Sequence, residues 1–528
     1  MQFEHFLLLI LAILPFIYKY SFWLYTIQLK EYRWDRLKEY LSTKQWKSAI
    51  FNMWFFLELP LLIGSFVIFY DKNFEIIIFP IIFYFMITYN VFVLWKVIRK
   101  NLLKPKLTSR LLLIVAFFIL WLSLDLYFLV FKEQIIFIYS YILSGLLLAP
   151  MIIFFYIILT LPIVDFLKNK KIKSAILKSK KTNKPIKVWI TGSYWKSSVK
   201  EYLSQILEQE GSTLKTPENI NTELWVSAII LNKLKNKYKY FVAEMWAYKI
   251  WEISILWKIV NQKYWFLTAI WNQHIWLFGN QENIKIGKSE IQESVLKNDG
   301  ILYINWDNEN IRKTKFDKKL NLIKYWKNIK SDAKFNIIWI KKWKTEFEFE
   351  YKKIKEKFET NLIWEHNIIN LTWILAFCYD IWFKIKDLKK HLLNIKKPKN
   401  TQEIIEHGGN ILIDDTYNLS EAWLNSGLEL LEYFEKKDKI LILDDILELG
   451  KQAKNIHYEL WKKIAKNKLV GKVLYIWINY KESFVKWLLE WWFKNENILK
   501  IEEFSSLNKS VILFEWRNAK KYLDKLNK

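Results

Sequence analysis

At 528 residues the chain is long enough for about three or four domains, each with a sizeable core. Its single cysteine, Cys378, excludes an intrachain disulfide and any cysteine-built zinc or iron-sulfur site, so a disulfide-stapled secreted scaffold is ruled out and the catalytic part is expected to face a reducing compartment. Eighty Lys and Arg against 53 Asp and Glu leave a net charge of +27, which suits an anionic membrane surface, phosphorylated substrates or nucleic acid, and charge alone does not choose among them.

Five long apolar stretches open the chain, at approximately 3–29, 50–70, 74–95, 111–131 and 135–166, each with the roughly 20 residues that a spanning helix needs. The connections 30–47 and 96–110 each carry six Lys or Arg and are expected to be cytoplasmic, whereas 71–73 and 132–134 are short and nearly neutral. Alternation then puts the N-terminus outside and everything after Phe166 inside, in a multi-pass inner-membrane protein with cytoplasmic catalytic domains. The first stretch lacks a basic leading region and is followed by equally long ones, which argues against a cleaved signal peptide. The fifth stretch has an alternative reading as two shorter helices around Pro150. The lysine-rich run 168–187 reads either as a segment lying on anionic headgroups, at roughly 1 kcal/mol per charge, or as a solvated linker.

A short buried strand is expected over 186–190. It is followed by Thr191-Gly192-Ser193-Tyr194-Trp195-Lys196-Ser197-Ser198 and a helical pattern over 199–209. Strand, loop and helix in this order make a phosphate loop: backbone N–H groups wrap the phosphates, the lysine neutralises them, the next hydroxyl holds Mg2+, and the helix N-terminus adds its positive end. Trp195 stands before the lysine, where close backbone approach favours a residue without a Cβ.

That position joins a compositional anomaly. Average usage of about 7% would give about 37 glycines, but the chain has 12, while tryptophan, normally among the rarest residues, numbers 29. The two counts together come close to the glycine expectation. We therefore read many of the tryptophans as glycine positions, as they would be in a gene whose UGA codons mean glycine but were translated as tryptophan.

Read so, TGSYWKSS (191–198), AEMWAYKIWEI (243–253), TAIWNQHIWLFGN (268–280) and NLIWEHNIINLTWILA (361–376) resemble motifs of the Mur ligase family, ATP-dependent amide-bond-forming enzymes of bacterial cell-wall synthesis, and most closely its D-alanyl-D-alanine-adding branch. INWDNEN (304–310), IDDTYNLSEA (413–422) and LDDILELG (443–450) follow in motif order, so the resemblance covers about 188–528. Trp195, Trp246, Trp251, Trp271, Trp276, Trp364 and Trp373 each fall where the family pattern has glycine.

The resemblance implies roles, residue by residue. Thr191 to Ser198 would cradle ATP, with Lys196 on the phosphates and Ser197 or Ser198 on Mg2+. Glu244, at the end of the apolar strand 240–243, would be a further ligand of that metal, at the strand end where α/β sheets bind ligands. His274, after the strand 266–270, would hold a second Mg2+, and Lys288 would match the lysine that is carbamylated into a metal-binding carboxylate. His366 and Asn367, opening an apolar helical run over 368–377, would approach the base; Asp415, Tyr417 and Asn418 would lie near the ribose, the phosphates and the incoming amine. In the bare sequence, strand-end carboxylates are also ordinary solvated or turn-forming residues, His274 also reads as a structural histidine, Lys288 as a surface lysine, and Cys378 as core.

Two departures stand out. The stretch KPKNTQ (397–402) has no arginine where close relatives have one that helps to hold ATP, so that arginine is missing or replaced by a lysine. The domain that in the family grips the UDP-sugar has no counterpart between the membrane and the phosphate-loop strand, and the apolar spans occupy its place. The acceptor peptide is then expected near the bilayer, lipid-linked, with soluble UDP-muramoyl peptide as the conventional alternative.

The expected architecture is a membrane α-helical region (1–166), a basic linker (167–187), an α/β phosphate-loop central domain of Mur ligase type (188–397) and a smaller Rossmann-like α/β C-terminal domain (398–528). The expected function is ATP-dependent addition of D-alanyl-D-alanine to a muramoyl peptide through an acyl phosphate, with membrane lipid as a neighbour. A catalytically silent membrane scaffold is the alternative, favoured by real tryptophans at 195, 246 and 364. Nucleic-acid binding is disfavoured because the basic residues form no recognition motif, and the related folate-type polyglutamate ligases fit AEMWAYK and DDTYN less well.

Overall fold

The computed structural model describes the chain except for residues 1–2, 31, 33–36, 38–39, 41–46, 48, 68–71, 132–136, 218–221, 246–251, 271–290, 327–330, 342–343, 399–400, 417–420, 435–437, 445–452, 467–469, 477–489, 491–496, 500–508, 516–518 and 527–528. It divides into two compact units, Met1–Lys170 and Lys171–Lys528.

The first unit is helical: α1 (Phe3–Leu29), α2 (Met53–Val67), α3 (Glu75–Ile98), α4 (Ser109–Phe131), α5 (Phe137–Leu147) and the start of α6 (Ala149–Lys181). Among the described residues, three helices are long and apolar enough to cross a membrane: Phe6–Leu29, Glu75–Ile98 and Ala149–Lys181. Within the apolar stretch 50–70 the described helix is Met53–Val67, and 135–166 holds Phe137–Leu147 and the first part of Ala149–Lys181, a break near Pro150 as in the alternative reading, though the second helix is long. Pro150 falls in the first turn of α6, where its missing N–H has no helical partner to lose. Polar side chains tie the helices: Lys19 pairs with the buried Glu58, Ser65 and Ser140 hydroxyls meet at 2.8 Å, and Asn90 Nδ2 donates to the Leu11 carbonyl at 2.6 Å. Ile63, Ile76, Tyr84, Val91 and Phe155 stand exposed on this unit, apolar surface that water penalises and lipid does not.

The second unit holds two sheets. The first has nine strands in the order β2-β3-β1-β4-β5-β6-β7-β8-β9. They are β1 (Ile186–Thr191), β2 (Thr213–Lys215), β3 (Tyr240–Glu244), β4 (Tyr264–Leu267), β5 (Ile301–Asn305), β6 (Asn321–Trp326), β7 (Ala333–Lys341), β8 (Lys344–Tyr351) and β9 (Ile354–Thr360). Pairing is parallel from β2 to β7 and antiparallel through β7, β8 and β9. The central strands are buried on both faces, which is why they read as continuous apolar runs. Along β1, Val188 and Ile190 enter one core with α7 (Lys196–Glu208), while Trp189 enters the other with α8 (Glu223–Asn232) and α9 (Glu252–Val260).

The run 168–187 is not simply a solvated linker. It continues α6 to Lys181, with Ile172 and Ala175 in the core shared by Trp189 and Val260, and Ser179 Oγ donates to the Val260 carbonyl at 2.6 Å. The second sheet has the order β10-β11-β14-β12-β13, from β10 (Glu403–His407), β11 (Asn410–Asp415), β12 (Asp438–Leu443), β13 (Lys472–Tyr475) and β14 (Ser510–Glu515), parallel except at the β10 edge. The mainly parallel sheets flanked by helices match the α/β expectation for the part of the chain after the apolar region.

Candidate functional site

The phosphate loop sits between the C-terminal end of β1 and the N-terminus of α7, at the edge of the sheet where parallel strands open. Gly192 has φ +142°, and a Cβ there would lie 2.1 Å from Thr268 Oγ1 and 2.9 Å from the Ala269 nitrogen, so only glycine fits. Ser193 N donates to the Ala269 carbonyl at 2.7 Å and Thr268 Oγ1 donates to the Tyr194 carbonyl, which pins the loop to the segment after β4.

Lys196 opens α7 and is buried, its Nζ donating to the Ser193 carbonyl at 3.1 Å. Burial pushes its ammonium down to about 8, against the opposing pull of Glu244. Glu244 ends β3, which pairs directly with β1, and this adjacency brings it to the loop: Ser197 Oγ lies 3.0 and 2.9 Å from its two carboxylate oxygens. A hydroxyl and a carboxylate meeting in this way are hard oxygen donors, and they fit Mg2+, which takes few protein ligands and keeps substrate phosphates and waters. Among the described residues no group of three or more His, Cys, Asp or Glu forms an all-protein metal cage.

Trp195 caps α7 with φ +63°, a left-handed conformation that costs an L-residue roughly 1–2 kcal/mol. Its indole lies against His366, at the start of α11 (Glu365–Asp380; α10 is Ile291–Lys297). The cavity lined by Trp195, Ser198, Tyr202, His366, Asn367 and Lys397 measures only about 10 Å³. Asn367 is held by Tyr202, whose hydroxyl donates to its Oδ1 at 3.0 Å, and by its own donation to the Ile363 carbonyl at 2.7 Å. Desolvation pushes the His366 imidazole down to about 3, with the Lys397 charge adding to it, so the ring is neutral near pH 7.

Trp364, one residue before α11, has φ +88° and ψ 139°, a positive-φ conformation that L side chains rarely adopt and glycine adopts readily. Its indole packs against Tyr433 with ring centroids 4.5 Å apart. The indole nitrogens of Trp189, Trp257, Trp265, Trp364 and Trp373 are buried with no acceptor, whereas buried indole N–H groups ordinarily find one.

From the second sheet, Asp415 reaches the same region, buried at the end of β11; desolvation holds its carboxyl well above the usual range, with Lys397 and Gln402 pulling the other way. Asp414 instead turns into the C-terminal domain, accepting from Thr416 and Lys520. The structure thus brings together Thr191 to Ser198, Glu244, His366, Asn367 and Asp415. His274, Lys288, Tyr417, Asn418, Trp246, Trp251, Trp271 and Trp276 lie outside the described residues. Sequence reasoning passed over Tyr202, Thr401, Gln402 and Ser426, of which Ser426 meets His366 Nδ1 at 3.1 Å. Lys397, noted only as the residue left where an arginine was expected, lines the same cavity.

Residues 190–378 match the Mur ligase middle domain. The chain is 30% identical over 292 residues to the UDP-N-acetylmuramoyl-tripeptide–D-alanyl-D-alanine ligase of Buchnera aphidicola, covering 54% of this chain and 63% of that protein. It is 26% identical over 278 residues to the Escherichia coli protein of the same name, covering 52% and 60%. The chain therefore spans about three fifths of the length of these relatives. In fold it is similar to MurF from Acinetobacter baumannii, with TM-score 0.61, 21% identity and 68% and 80% of the two chains covered. The MurF ligase from Thermotoga maritima, solved in complex with ADP, gives TM-score 0.58 at 24% identity over 68% and 83%.

Proposed function

We propose that this chain, whose residues 190–378 are a Mur ligase middle domain, is an ATP-dependent amide ligase that adds D-alanyl-D-alanine to a muramoyl peptide at the membrane. The observation that carries the reading is the Ser197–Glu244 contact beside Lys196, a phosphate-loop cation and a hard-oxygen pair built on adjacent parallel strands. The names of the relatives support the choice of substrates.

In this reading ATP supplies the phosphoryl group that activates a peptide carboxylate. The carboxylate attacks the γ-phosphorus and ADP leaves; the amine of D-alanyl-D-alanine then attacks the acyl carbon and phosphate leaves with the bond to carbon broken. Lys196 would bind and orient the phosphates, Ser197 and Glu244 would hold Mg2+, and His274 with Lys288 as its carbamate would hold a second one. Such transfer depends chiefly on positioning and charge. His366 and Asn367 line the base side, and Lys397 stands where relatives use arginine. Lysine offers a point charge in place of a bidentate fork.

The reading needs an open cradle, so it includes glycine at 195 and 364 in the working enzyme. The positive φ at both positions and the orphaned indoles support this. The apolar helices, three of them long enough to span, support a membrane anchor and an acceptor presented at the bilayer. The test is phosphate release from ATP by the purified full chain carrying Trp195→Gly, with UDP-linked and lipid-linked muramoyl peptides offered separately. Release that requires D-alanyl-D-alanine establishes the ligase; turnover of the soluble acceptor alone sinks the lipid-linked idea; no release with either acceptor leaves the scaffold reading.

A further inference from the structure

Helix α7 carries a second lysine, Lys200, one turn beyond Lys196 and wholly buried. Its Nζ lies 3.2 Å from Glu244 Oε2 and 3.7 Å from Glu201 Oε1. Glu201 is already engaged by Lys215 at 2.6 Å, so the closer and principal contact of Lys200 is Glu244. The two oxygens of Glu244 are therefore unlike: Oε2 takes both the ammonium and the Ser197 hydroxyl, while Oε1 takes the hydroxyl alone among the described side chains.

Spacing explains the division of labour. Residues four apart lie on one face of a helix, so Lys196 and Lys200 project the same way from α7, Lys196 toward the loop carbonyl of Ser193 and Lys200 toward the strand-end carboxylate. Without Lys200, the cation left beside Glu244 among the described residues is Lys196, whose field already feels that carboxylate. Glu244 would then turn toward the ammonium that the phosphates need.

We propose that Lys200 is a positioning residue: by tying Oε2 it aims Oε1 of Glu244, together with the Ser197 hydroxyl, at the point where a divalent cation binds. This rests on the nucleotide-metal reading of the loop and names the group that orients its carboxylate. Loss of such an outer partner typically costs about 10–100-fold in metal affinity.

The test is a titration of the full chain with Mn2+ alone, followed by electron paramagnetic resonance, for the parent, Lys200→Met, Lys200→Gln and Lys200→Arg, each checked for its unfolding temperature. The expected result is an affinity loss of about 10–100-fold in the Met and Gln variants and recovery in the Arg variant. Parent-like affinity in either neutral variant, or no Mn2+ binding by the parent, overturns the proposal; a side chain needed only for folding would lower the unfolding temperature without this rescue pattern. A parallel ADP titration in the Trp195→Gly background separates the two claims: a Lys200-dependent Mn2+ site in an opened cradle that takes no ADP would sink the ligase reading and leave this one standing.

Discussion

The indole of Trp195 lies nearly parallel to the imidazole of His366, with ring centroids 5.9 Å apart and an angle of 6° between the ring planes. The ring fills the space between the phosphate loop and the segment expected to face the base, and what remains is a cavity of about 10 Å³, no more than one water could use. The residue that closes the cradle is also strained by its own backbone, with φ at +63°. Trp195→Gly is expected to open the cavity, relieve roughly 1–2 kcal/mol of left-handed strain and raise ADP affinity at least about tenfold, worth about 1.4 kcal/mol. Calorimetric titration of both proteins checks the affinity. Peptide mass spectrometry of protein from its own cells checks the residue, and an indole beside Lys196 there would end the glycine reading.

Trp382 gives a test that no active-site argument touches. It follows α11 with φ +72° and is 92% exposed. Phe383 N donates to the Cys378 carbonyl at 2.9 Å and Trp382 N to the Tyr379 carbonyl at 3.0 Å. These are the paired bonds of a Schellman ending, whose left-handed residue is most often glycine. Trp382→Gly removes no buried surface and is expected to stabilise the chain by about 1 kcal/mol. Trp373→Gly, at a fully buried ring stacked on Phe266, is expected to cost about 3–5 kcal/mol in the structure as packed. Denaturant unfolding of the two variants reads both signs, and destabilisation by Trp382→Gly would contradict the cap assignment.

The strands and the loop were legible because their signals are local: apolar runs bounded by polar ends, then Gly192, Lys196 and Ser197 at the start of a helix. Glu244 was legible from its strand end, but its partner Lys200 was not, since a lysine on a helix in a chain with 80 basic residues carries no signal until the sheet places β3 beside β1. Ser426 was hidden for the same reason: it comes to His366 only through packing in three dimensions. Trp382 was missed because cap geometry depends on φ, which composition does not report. The break before α6 was read only as an alternative, because Pro150 in an apolar run also suits a continuous helix with a kink.

The apolar helices and the basic charge make different predictions about membrane attachment. Lysines lying on headgroups are released as salt rises, because exposed charges are screened within about 10 Å at 0.1 M ionic strength. Helices such as Glu75–Ile98, with exposed Ile76, Tyr84 and Val91, have no favourable place in water. The full chain is expected to stay in the membrane pellet through washes with 1 M salt and alkaline carbonate and to leave it only with detergent. Release by salt alone would show surface attachment through charge.

At the ends of β11 and β14, Asp415 and Glu515 are register partners on adjacent parallel strands, both fully buried. Burial first, and the charge of Asp415 second, hold the Glu515 carboxyl well above the usual range. In the unfolded chain a glutamate ionises near about 4.3. Above that pH the unfolded chain has lost a proton that the folded chain keeps, so stability falls as pH rises toward the folded value. Glu515→Gln keeps the shape, which matters because Gly427 approaches so closely that a Cβ there would lie 2.5 Å from Glu515 Oε1, and it removes the titration. The variant is expected to match the parent near pH 4 and to gain on it by on the order of 1 kcal/mol per pH unit above that, until the folded group ionises. Denaturant melts at pH 4, 5.5 and 7 measure the difference. A stability gap that stays constant across the three would mean that Glu515 shares its charge with a partner and is not kept protonated by its surroundings.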